Sequence, residues 1–125
     1  MFSKNTEKLE SFVGVNTYLR GDVKSKGTLR IDGTLEGNVE ADWIVLGEKA
    51  NLKGEAMARG VIVGGRIEGN ITASEILEIR SKGQVIGDIA VAKLVVAEGG
   101  MLVGRTSMNK EGSKVIELPV KERSG

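Results

Sequence analysis

The chain contains no cysteine and no histidine, a single proline, and only four aromatic residues, Phe2, Phe12, Tyr18 and Trp43. Without cysteine there is no disulfide and no thiol nucleophile. Without histidine as well, the usual zinc sites and imidazole bases are excluded. Long apolar runs are also missing. The opening MFSKNTEKLESF lacks the continuous apolar stretch of a signal peptide, and no run is long enough to cross a bilayer, so a cytoplasmic location is expected. Neither sign of charge dominates: 18 Lys and Arg face 17 Asp and Glu, and residues 13–107 carry twelve of each. Nucleic-acid binding normally needs a concentrated basic face, so no nucleic-acid partner is expected.

Glycine, by contrast, is abundant at 18 residues, and it recurs in a pattern. The five-residue unit apolar-x-Gly-x-small/apolar appears as LRGDV (19–23), LEGNV (35–39), LKGEA (52–56), IEGNI (67–71), VIGDI (85–89) and LVGRT (102–106). Its glycines, Gly21, Gly37, Gly54, Gly69, Gly87 and Gly104, lie 15 to 18 residues apart. Upstream of each copy stands an alternating apolar pair: Val13/Val15, Leu29/Ile31, Ile44/Leu46, Val61/Val63, Leu77/Ile79 and Leu94/Val96. Alternation of period two is strand periodicity. The connections between pair and glycine unit, such as DGT (32–34) and GEKAN (47–51), differ in length by two residues while the apolar columns keep phase. Insertions therefore fall in corners outside the core.

A repeat of about 16 residues at roughly 3.3 Å per residue fits one coil of a three-sided β-helix. Six coils stacked about 4.8 Å apart predict an all-β, single-domain parallel β-solenoid on the order of 30 Å long, spanning residues 13–107. The glycine column is expected at a tight corner or close backbone approach. A phosphate-binding loop is excluded, because no G-x-G-x-x-G or G-x-x-x-x-G-K-[ST] occurs and no helix follows these glycines. Catalysis finds no apparatus either. Hexapeptide acyltransferase solenoids have a six-residue period and rely on histidine, while Asp22, Asp32, Asp42 and Asp88 fall in different coils among interleaved Lys and Arg. That interleaving reads as a solvated exterior. No enzyme activity, cofactor or metal is expected.

The ends of such a rod expose unpaired backbone and a cross-section of aliphatic core. Solenoids that remain monomeric carry polar capping units, and no convincing cap is legible here. Val13 and Val15 open the first coil, and Leu94, Val96, Met101 and Leu102 belong to the last. These six residues are the candidate contacts for end-to-end stacking. Residues 1–12 and 108–125 read as flexible tails. The second could instead fold over the end through Val115, Ile116 and Leu118, although its charge and Pro119 favour mobility. Met1 and Phe2 form an apolar tip that either starts a disordered tail or acts as a shallow membrane anchor, multiplied when a polymer presents many copies.

Taken together, the opening MF, the six coils and the closing EGGMLVGRTSM (98–108) resemble the bactofilin family of bacterial cytoskeletal proteins. The resemblance covers almost the whole chain. It implies a right-handed β-helix that polymerises without nucleotide into non-polar filaments, by head-to-head and tail-to-tail contacts of its ends. It also implies binding to the cytoplasmic face of the inner membrane through the N-terminal tail, here Met1 and Phe2, and organisation of cell shape by positioning peptidoglycan-modifying enzymes. Many members carry a Phe in the final coil at the position of Leu102, as a contact residue of the C-terminal end. The competing reading is a non-polymerising β-helical module that binds a protein or glycan on a flat face.

Overall fold

The computed structural model describes the backbone of residues 9–108 and 114–117 and the side chains of residues 11–107. Every regular element among them is a β-strand, and every strand pairing is parallel. The chain winds six times around a three-sided core. Its first face stacks β1 (Leu9–Val13), β4 (Thr28–Ile31), β7 (Trp43–Leu46), the second half of β9 (Ala56–Val63), the second half of β11 (Ile71–Ile79) and β14 (Lys93–Val96). The second face stacks β2 (Tyr18–Arg20), β5 (Thr34–Glu36), β8 (Asn51–Lys53), β10 (Arg66–Glu68), β12 (Gln84–Ile86) and β15 (Met101–Val103). The third stacks β3 (Val23–Lys24), β6 (Val39–Glu40), the first halves of β9 and β11, β13 (Ile89–Val91) and β16 (Thr106–Met108).

Because each face alternates, every second residue points inward and meets its counterpart in the next coil. The first face contributes the ladders Leu29, Ile44, Val61, Leu77, Leu94 and Val13, Ile31, Leu46, Val63, Ile79, Val96. The second contributes Leu19, Leu35, Leu52, Ile67, Val85, Leu102. On the third, Val23, Val39, Ala56, Ile71 and Ile89 run beside the smaller Ala58, Ala73 and Val91. Nearly all are buried, at about 1.5–3 kcal/mol for each large aliphatic side chain removed from water. No charged side chain among the described residues shares the core, and the ion pairs lie on the surface.

Two corners explain the spacing seen in the sequence. Between the first and second faces the chain takes two residues in the second and fourth coils (Asp32–Gly33, Gly64–Gly65) and four in the others, such as Gly47–Ala50. Between the second and third faces stand the six glycines. All have positive φ, from 130° at Gly21 to 146° at Gly37, a conformation that L side chains rarely adopt. They also touch: a Cβ placed on Gly54 would lie 1.9 Å from the carbonyl oxygen of Gly37, and the same collision recurs at Gly69, Gly87 and Gly104.

The structure departs from the sequence expectation at both boundaries. The first-face pair of coil one is Ser11 and Val13, in register with Leu29 and Ile31, so Val15 falls outside the ladder. It lies in the following turn, closed by a hydrogen bond from Thr17 N–H to the Gly14 carbonyl, and is 52% exposed. At the other boundary β17 (Lys114–Glu117), within the segment expected as a flexible tail, pairs with β14 as one strand of a seventh layer.

Candidate functional site: the two ends of the rod

At the N-terminal end, β1, β2 and β3 pair only toward the second coil, leaving their outer edges unpaired among the described residues. Three inward ladders surface there. Val13 is nearly covered, Val23 is half-buried and packed on the core, and Leu19 is 37% exposed although every interior member of its ladder is fully buried. Around them stand the exposed Phe12 and Tyr18, which point outward, and Val15. The Glu36 carboxylate beside Tyr18, as hydrogen-bond partner and neighbouring charge, pushes that phenol above its ordinary pKa.

At the C-terminal end, among the described residues, β15 pairs only with β12 and β16 only with β13. Leu102 ends the second-face ladder, half-buried and packed on the core, flanked by the outward-pointing Met101 and Val103, which are about half exposed. The first face is different, since β17 lies over β14. Ion pairs near these apolar edges join Arg20 to Glu36 at 3.6 Å and Arg105 to Asp88 at 3.4 Å.

The six candidate contacts therefore separate. Leu102 and Met101 lie at an open edge. Val96 is half-buried and overlain by a strand, Leu94 is core at 4% exposure, Val13 is core at 7%, and Val15 is an exposed turn residue outside the ladders. Val13 and Leu94 are both covered in this structure, and Leu94 lies in register with Val115 of β17. Leu19, Phe12, Tyr18 and Val103 are end residues that the sequence did not single out. The signal for Leu19 was present, since LRGDV is the first copy of the unit and has no earlier copy to cover it. Met1 and Phe2 lie outside the described residues.

No group of His, Cys, Asp or Glu among the described residues is arranged to hold a metal ion. The open groove along the third face, between Asp22, Lys24, Glu40, Glu55, Met57 and Thr72, is a mixed surface with no buried polar group aimed into it.

An aliphatic β-solenoid whose ladders run out to its ends is a class of protein defined by its termini more than by its sides. The chain belongs to the bactofilin family: the family's model, described as polymer-forming cytoskeletal, matches residues 11–107. Among curated relatives, the chain is 24% identical over 107 residues to bactofilin BacO of Myxococcus xanthus, covering 85% of each chain. It is 27% identical over 97 residues to BacP of the same organism, covering 77% of this chain and 40% of that one. Among solved structures it is similar to the Thermus thermophilus bactofilin in a cryo-EM reconstruction of double helical filaments. There the TM-score is 0.69 and the identity 26%, over 80% of this chain and all of the other.

Proposed function

We propose that this chain assembles end to end into filaments that need no nucleotide, held by its two rod ends. The observation that carries the reading is the emergence of the Leu19–Leu102 ladder, fully buried in its interior members, at an exposed edge on each side. Stacking a second copy on either edge would pair free backbone groups and remove that apolar area from water at roughly 25 cal/mol per Å². The Thermus relative, whose filaments are double helical, supports the same behaviour here. Head-to-head and tail-to-tail contacts would make the filament non-polar. Binding to the cytoplasmic face of a membrane through Met1 and Phe2, and a scaffolding role for cell-wall or cell-shape enzymes, follow from the family resemblance and the apolar tip.

Negative-stain microscopy of purified protein in nucleotide-free buffer tests the central claim. Filaments are expected from the natural chain and short oligomers from Leu102→Arg, which sets a charge in the junction. A natural chain that stays monomeric at high concentration would sink the proposal. For the membrane, removal of residues 1–8 should leave filaments intact but release them from co-sedimentation with lipid vesicles. Undiminished co-sedimentation would contradict the anchor.

A further inference from the structure

We infer that the strand β17 is a displaceable cap, competing with a second copy of the chain for the C-terminal end of the rod. The inference rests on the filament reading and adds an autoinhibitory contact to it.

Three observations carry it. First, β17 raises the first face one strand above the other two, which among the described residues end at β15 and β16. One layer is about 4.8 Å. A copy resting on β17 would stand a full layer away from β15 and β16, too far for an N–H to reach a carbonyl at roughly 2.9 Å. A level junction needs the place that β17 occupies. Second, the register of β17 closes the ladders it joins. Val115 stands over Leu94, but Glu117 stands over Val96, at the end of a column otherwise made of Val13, Ile31, Leu46, Val63 and Ile79. A polar residue type at the outermost register position is what terminal repeats carry. Third, β17 is the strand that continues the rod beyond the sixth coil among the described residues. Among the described residues that layer is one strand, paired along one edge, whereas the strands of coils two to five are paired along both. Such a strand is the easiest to release.

Capping then acts as a population tax: affinity at this end falls in proportion to the fraction of molecules with β17 released. The N-terminal end shows no equivalent strand among the described residues.

Two variants test this. Ending the chain after Met108 removes β17 and none of the six coils. Val95→Cys with Ile116→Cys, register partners on adjacent strands in a chain with no other cysteine, allows β17 to be locked by a disulfide and freed by reductant. Pelleting across a concentration series is the measurement. The shortened chain is expected to assemble at a critical concentration about tenfold or more below that of the full chain. The oxidised variant should stop at small oligomers, and reductant should restore filaments. If both variants polymerise like the natural chain, or if the shortened chain loses filaments while the locked one keeps them, β17 is not a cap and the inference fails with the filament reading intact. If every form, the shortened one included, stays monomeric, the filament reading itself has failed.

Discussion

At the scale of single residues, the glycine column separates two reasons for requiring glycine. Gly21 has a φ of 130° but nothing within 4 Å of an added Cβ, whereas Gly54, at 140°, has the Gly37 carbonyl 1.9 Å away. Gly21→Ala is therefore expected to cost only backbone strain, about 1–3 kcal/mol. Gly54→Ala adds a collision with main chain that cannot rotate aside, so a loss above about 4 kcal/mol is expected. Denaturant unfolding of both, on a background carrying Leu19→Arg and Leu102→Arg together, checks the difference, and equal losses would show that stacking contributes nothing. Ile67, fully buried mid-ladder, gives a control of another kind. Ile67→Ala should cost about 2–5 kcal/mol by leaving a cavity, without altering which end associates.

At the scale of strands and turns, the repeat was legible because burial enforced it. Wherever a coil is covered on both sides, an inward polar residue would be penalised, so Leu29/Ile31 through Leu94/Val96 stand out as clean pairs. In the outermost coil that pressure fades. Ser11 holds an inward register position beside solvent, the apolar pattern weakens, and Val13/Val15 looked the better pair although Val15 lies in a turn. Strand β17 was hidden for the same reason: its neighbouring Val115 and Ile116 do not alternate, and Glu117 occupies a column position that is aliphatic in every full coil. The length variation does fall in a corner, with turns of two or four residues, and its tolerance can be tested. Adding two residues between Gly64 and Gly65 matches that turn to the four-residue turns of the coils on either side. It should cost no more than about 1 kcal/mol. Adding one residue within β10 reverses its inward and outward faces and should abolish cooperative folding. Thermal melts followed by circular dichroism distinguish the two.

At the scale of the molecule, the ends can be scored independently because the Leu19–Leu102 ladder emerges at each. If like ends meet, Leu19→Arg and Leu102→Arg should each leave a species of two chains, joined by the unaltered end, and the double variant should be monomeric. If unlike ends meet, each single change should already give monomers. Analytical ultracentrifugation reads the outcome directly.

The touching glycines also bear on mechanics. Along one corner of the rod, main chain rests on main chain from Gly21 to Gly104 with no side chain between to yield. Bending that shortens this corner meets incompressible contacts, while bending the other way lengthens it and compresses the softer side-chain packing opposite. The rod should thus act as a beam with one stiff edge, and a filament built from it should curve with its glycine edge on the convex side. Curvature analysis of filaments carrying a bulky tag in the Gly47–Ala50 turn would reveal the side.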